Sequence, residues 1–86
     1  MTDLTDLPNI GPKVADQLVA VGIQTPRDLA QVGSREAWLR IQAQDSSACI
    51  HRLMALEGAI RGVKKSDLPD QVKVDLKQFY QEHRIG

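Results

Sequence analysis

The sequence predicts an all-α fold: a compact five- to six-helix domain built as two similar hairpins, a central core helix and a terminal helix. Three observations predict it. No segment shows the period-two alternation of a half-buried strand, whereas each apolar stretch recurs at three- and four-residue spacing. Prolines stand where helices begin, at Gly11-Pro12, Thr25-Pro26 and Leu68-Pro69. Asp6–Ala15 can be laid over Asp28–Ala37, with Asp, Leu, an apolar residue, Gly, a basic residue and Ala in register.

The first element is a short apolar segment ending at Pro8, followed by a tight turn through Asn9-Ile10-Gly11. Gly11 can adopt backbone conformations closed to other residues, and Asn9 tolerates the left-handed region next best. Pro12 opens a helix to Val21, with Val14, Leu18 and Val21 on one face and Lys13 in its first turn. Thr25 caps a short helix ending at Gly33, and Asp28 lies three residues on, as in a capping box. Ser34 caps the next, with Ala37, Trp38 and Ile41 inward. Gln42 to Ser47 is polar and reads as a loop, with Asp45 or Ser46 as the following cap.

The longest helix is predicted from about Ser47 to Arg61, its core face formed by Cys49, Leu53, Leu56, Ile60 and Val63. Gly62 terminates it. A loop carrying Lys64-Lys65 leads to a last helix from about Pro69 to His83, with Val72, Leu76 and Phe79 or Tyr80 inward. Gly58 sits inside a helix at a cost of about 1 kcal/mol relative to Ala, which implies close approach by a neighbouring helix. Glu57 lies beside the core and needs a partner, either Arg61 one turn on or a free helix N-terminus.

Two hairpins of one kind resemble a tandem helix-hairpin-helix arrangement, a motif that grips nucleic-acid backbones without reading sequence. Unpaired N–H groups and a partial positive charge at a helix start favour a phosphate. The candidate contact residues are Asn9, Gly11 and Lys13 in the first hairpin and Gly33, Ser34 and Arg35 in the second. Charge opposes this: 11 Lys and Arg balance 11 Asp and Glu, and Asp3, Asp6 and Asp16 crowd the first hairpin. Two functions fit the pattern. One is a module that holds duplex DNA through its backbone; the other is a protein-interaction module, in a homodimer or on a regulator, without DNA affinity.

Enzyme chemistry has no support. Cys49 and His51 lie two residues apart on different faces of one helix, and His83 is the only other histidine. Cys49 reads as a small core residue. Neither cofactor nor metal nor small-molecule substrate is implied. A single cysteine forms no internal disulfide, no apolar run spans a membrane, and no signal peptide is evident, so the expected compartment is cytoplasmic. A chain of 86 residues is expected to form one domain over residues 1–86.

Further matches accumulate along the chain: Asn9-Ile10-Gly11-Pro12-Lys13, Val21-Gly22-Ile23, Thr25, Asp28-Leu29, Gly33, Ala37 and Arg40-Ile41. The densest block is Cys49, Leu53 and Ala55-Leu56-Glu57-Gly58-Ala59-Ile60-Arg61-Gly62, closed by Leu68-Pro69. With these residues the chain resembles the C-terminal domain of the TfoX (Sxy) family of bacterial competence regulators. Met54 stands where that family's pattern has Tyr, and Lys65 lies near the place of a Trp usual before Leu-Pro. The resemblance implies an all-α, helix-hairpin-helix-like fold and a role in transcription or DNA uptake. The 86 residues leave no room for the family's N-terminal domain, so a free-standing copy is expected.

Overall fold

The computed structural model describes residues 3–84, and these contain five α-helices, two 3-10 turns and no strand. The helices are α1 (Pro12–Ala20), α2 (Pro26–Val32), α3 (Ser34–Gln44), α4 (Ile50–Arg61) and α5 (Asp70–His83). The most extensive pairing is α3 with α4, and α5 packs across both. Leu18, Ile23, Leu29, Trp38, Leu53, Leu56 and Leu76 are fully buried between them.

The apolar segment before Pro8 forms a single 3-10 turn, Leu4–Asp6, and not a full helix. Pro8 holds Leu7 extended (φ −78°, ψ 147°), which stops the turn from propagating. Asp3 and Asp6 cap it reciprocally, and Leu4 is driven into the core. The left-handed residue of the next turn is Asn9, at φ 69°. Gly11 is extended at φ −90°, a conformation open to any residue. In α1 the inward residues are Ala15 and Leu18, with Val14 and Val21 half-buried at the margin.

Thr25 caps α2 as the sequence predicts, accepting from the Asp28 amide at 3.1 Å. The Asp28 carboxylate accepts from Gln24 N rather than from Thr25 N, so the box is displaced by one residue. Gly33, at φ 87° and ψ 157°, ends α2 and also caps α3. Ser34, expected as the cap, is therefore the first helical residue. Its hydroxyl does other work, described below.

Helix α3 continues through Gln44, where polarity predicts a loop. Gln42 is buried, and its side-chain Nε2 donates to the His83 carbonyl at 2.9 Å, joining the ends of α3 and α5. Asp45 then organises the connection: its carboxylate accepts from the Ser47 amide and hydroxyl, from Gln17 and from Arg52. These partners, Ser47 foremost, hold the Asp45 carboxyl well below the usual carboxylate range. With residues 45–48 in this turn, α4 starts at Ile50 and is capped by Cys49, not by Asp45 or Ser46. It has 12 residues, and α5, with 14, is the longest helix. Cys49, Ile60 and Val63 are half-buried, while Leu53, Ala55, Leu56, Gly58 and Ala59 form the buried face of α4.

At Gly58 the close neighbour is a turn, not the helix predicted from sequence. A Cβ there would lie 2.6 Å from Asn9 Nδ2 and 2.7 Å from the Val63 carbonyl. The Asn9 side chain occupies that space with three long-range bonds. Nδ2 donates to Val63 O at 3.0 Å and to Ala55 O at 3.4 Å, and Oδ1 accepts from Lys65 N at 3.1 Å. Gly62, left-handed at φ 75°, turns Val63 back so that its amide meets Gly58 O at 2.9 Å, closing α4 with a Schellman motif.

The three aromatic residues form one cluster. Trp38 is fully buried, edge-on to Phe79 at 6.1 Å and to Tyr80 at 5.5 Å. Its Nε1 is buried without a hydrogen-bond partner among the described residues.

Two substitutions test this junction. Asn9→Ala should destabilise by about 2–4 kcal/mol, because it removes three bonds and leaves a β-carbon residue in the left-handed region. Gly58→Ala should cost about 1–3 kcal/mol, and less in an Asn9→Gly background, where the nearest clashing atom is gone. Chemical denaturation of the wild type, Asn9→Gly, Gly58→Ala and their double variant measures the coupling. Strict additivity would show that Asn9 and Gly58 do not meet.

Candidate nucleic-acid interface

The two hairpins are in register in the structure. Gly11 and Gly33 are the N-caps of α1 and α3, Lys13 and Arg35 are the second helical residues, and Ala15 and Ala37 are buried one turn in. Their environments differ sharply.

At α1 no side chain caps the helix start. Pro12 lacks an N–H, and the first intrahelical bond of this helix runs from Ala15 N to Gly11 O. The amides of Lys13 and Val14 therefore have no carbonyl one turn back. Gly11, Pro12 and Lys13 are all exposed, and a Cβ on Gly11 would meet nothing within 4 Å. Neither its backbone angles nor its packing requires glycine. Lys13 makes no hydrogen bond or ion pair with the described residues. Asn9 fastens Lys65 beside this hairpin, which brings the exposed Lys64-Lys65 pair to the same end of the domain. The Asn9 amide is itself occupied by the fold.

At α3 a carboxylate stands beside the helix start, on the wall of a cavity of about 440 Å³ lined by Gly33, Ser34, Arg35 and Glu57 among others. Glu57, projecting from α4, accepts from the buried Ser34 hydroxyl at 2.5 Å through Oε1 and pairs with Arg61 Nε at 2.6 Å through Oε2. Of the two partners the sequence offers, Arg61 is realised; in place of free helix amides, the second is the hydroxyl of Ser34, the first residue of α3. Burial pushes the Glu57 carboxyl up, but Ser34, Arg61 and the charge of Arg35 outweigh it and hold the group below its ordinary value. Arg35 is further engaged over the Phe79 ring, with its guanidinium carbon 5.8 Å from the centroid. The Glu57 carboxylate thus places a negative charge beside the start of α3, which would repel an incoming phosphate.

A second feature was not anticipated. A groove of about 470 Å³ lies between α4 and α5, lined by Ile50, His51, Met54, Lys77, Tyr80 and Arg84 among others. Its residues come from two consecutive helices and meet only when these pack together, so no local motif announces it. Among the described residues no three His, Cys, Asp or Glu side chains converge on a metal-sized site, and no helix is long and apolar enough to cross a membrane.

The family model for the TfoX C-terminal domain matches residues 1–80 of this chain. The chain belongs to the TfoX C-terminal domain family. Protein Sxy of Escherichia coli (strain K12) is 36% identical over 76 residues, which cover 88% of this chain and 36% of Sxy. The TfoX C-terminal domain thus spans little more than a third of that relative. Two crystal structures from Listeria monocytogenes, both of proteins without a described function, share the fold closely. One, a triclinic form, has a TM-score of 0.93 at 46% identity over 94% of this chain and 92% of that one. The other, a tetragonal form, has a TM-score of 0.90 at 47% identity over 92% and 96%. Met54, where this TfoX domain departs from the pattern expected of its family, lines the α4–α5 groove.

Glu57 makes stability depend on pH in a definite direction. Because its folded pKa is lowered from 4.5, its contribution is complete above that value and is lost as pH falls through the folded pKa. Glu57→Gln should therefore be less stable at pH 7 by about 1–2 kcal/mol, the scale of a charged hydrogen bond. The gap should close progressively below pH 4.5. Thermal melts of both proteins from neutral to acidic pH measure it, and a gap that stays constant would contradict this account.

Proposed function

We propose that this domain is a DNA-associated module of a competence regulator, holding a nucleic-acid backbone weakly at its first hairpin alone. The observation that carries the proposal is the contrast between two matched helix starts. Neither has a side-chain cap, but that of α1 is followed by Lys13, which makes no ion pair among the described residues, whereas that of α3 carries the Glu57 carboxylate on its first residue, Ser34. A glycine with no conformational or packing need supports the reading, since a bare backbone allows a phosphate oxygen to approach the Lys13 and Val14 amides closely. Membership in the TfoX C-terminal domain family supports the regulatory context.

The grip is weak by construction. Exposed Asp3 and Asp6 flank the hairpin, and formal net charge is zero. Among the described residues, Lys13, with Lys64 and Lys65 nearby, supplies the cations there. Such a surface follows the backbone and does not select a sequence.

Duplex DNA titrated at low and moderate salt tests this. Lys13→Ala should weaken binding similarly for all sequences and lower the salt slope by about one. Arg35→Ala should weaken binding less than Lys13→Ala, because Arg35 lies over the Phe79 ring and beside the Glu57 carboxylate. Gly11→Asp is the sharpest variant. An aspartate at this N-cap should raise thermal stability and abolish DNA binding, placing at α1 the carboxylate that α3 already has. No binding by the wild type at low salt, or equal losses with Lys13→Ala and Arg35→Ala, would overturn the proposal.

A further inference from the structure

The α4–α5 groove combines an apolar floor with a rim of one charge sign. Ile50 and Met54 stand one turn apart on α4. Lys77, Tyr80 and Arg84 follow one another at three- and four-residue spacing along α5 and its C-terminal cap. A single stripe from each helix therefore faces the groove. Ile50, Met54 and Tyr80 are half-buried and form the floor, while His51, Lys77 and Arg84 are exposed at the rim. No aspartate or glutamate lines it. Lys77 and Arg84 make no ion pair among the described residues, although the chain as a whole carries equal numbers of acids and bases. Arg84 is aligned over the Tyr80 ring, its guanidinium carbon 6.0 Å from the centroid.

We propose that this groove receives an acidic amphipathic segment of a partner protein. Its apolar side chains would enter over Ile50, Met54 and Tyr80, and its carboxylates would meet Lys77 and Arg84. The chemistry selects this occupant over others. Methionine adapts its shape to different apolar side chains and suits a docking floor. The volume of about 470 Å³ lies in the range of ligand sites, but the groove is open along one side. A small molecule would leave much of its surface in water, whereas a chain segment continues over the rim. A second copy docked symmetrically would set each cationic rim against itself. Duplex DNA matches the rim and offers nothing to the apolar floor. The proposal is independent of the first-hairpin reading, which concerns the α1 end of the domain.

The test uses isotope-labelled protein and three synthetic peptides of equal length. One carries glutamates around leucine and phenylalanine at helical i, i+3, i+4 and i+7 positions. The second replaces the glutamates with lysine, and the third replaces the apolar residues with serine. Trp38 lies 5.5 Å from Tyr80, so its fluorescence gives a second readout. Amide shifts on adding the acidic amphipathic peptide should be confined to residues of α4 and α5 around the groove. Neither control peptide should reproduce them. Lys77→Ala/Arg84→Ala, both at exposed positions, should weaken binding about tenfold, the scale of two exposed ion pairs. Lys13→Ala should leave peptide binding unchanged, which separates a failure here from a failure of the DNA reading. Shifts absent at millimolar peptide, an unchanged affinity in the double variant, or displacement of the peptide by duplex DNA would each overturn the proposal.

Discussion

The Asn9 side chain is the constraint on which the arrangement depends. A residue near the chain start bonds to Ala55, Val63 and Lys65, across separations of 46 to 56 residues. Those bonds join the first hairpin to the C-terminal end of the core helix α4. They require three further conditions. Asn9 must hold a left-handed backbone, which asparagine tolerates better than other residues with a β-carbon. Gly58 must lack a side chain, because the amide fills that space. Gly62 must reverse the chain so that the Val63 carbonyl faces Asn9. Helix propensity argues against Gly58 and backbone sterics against Asn9, and each is explained by the other.

The same turn formula produces opposite helix starts because of what α4 carries. Both hairpins place glycine at the cap and a cation at the second helical position. Glu57 reaches only the second. There the carboxylate satisfies Ser34, is steadied by Arg61 and offsets Arg35. The result is a buried polar junction between α3 and α4, the two most extensively packed helices. The first hairpin is fastened to α4 by a neutral amide instead, so its helix start stays free of internal charge. Sequence similarity between the hairpins therefore does not extend to chemical equivalence.

Most of the fold was legible in the sequence, and what was not has specific causes. Prolines at helix starts, Thr25 as a cap and Gly33 and Gly62 as terminators act through local backbone sterics and were placed correctly. Trp38 and Ile41 were read as inward from spacing alone. The misplacements lie where a distant partner decides. Gln42 is helical and buried because α5 ends beside it with a free carbonyl, a fact no local window contains. The start of α4 was displaced because Asp45 spends its carboxylate on a turn with Ser47 and on Gln17 and Arg52 rather than on a helix cap. For the site, the register of Gly11 with Gly33 and of Lys13 with Arg35 was readable. The Arg61 partner of Glu57 is readable from i, i+4 spacing, whereas its second partner, the Ser34 hydroxyl, comes from another helix and has no local signal. The groove was invisible because its two stripes are separated by the Lys64–Pro69 connection and look like ordinary amphipathic spacing.

Net charge turns out to be the wrong scale on which to judge what this surface attracts. Equal numbers of acids and bases suggest a molecule without an electrostatic preference. The ion pairs redistribute that balance: Arg40 with Glu36, Arg52 with Asp45 and Arg61 with Glu57 neutralise one another in place. Eight of the 11 Lys and Arg stand outside these pairs, and Lys13, Lys77 and Arg84 are the three among them that the two candidate surfaces use. They fall in two groups, one at an open helix start and one on the rim of an apolar groove. At physiological ionic strength the field of an exposed charge decays within about 8 Å, so a ligand senses the local group and not the total. An anion with no apolar part finds a helix start and a lysine at the first. An anion attached to apolar side chains finds both of its requirements at the second. Under the two proposals made above, a neutral domain would in this way discriminate between two kinds of negative partner, by what accompanies the charge at each place.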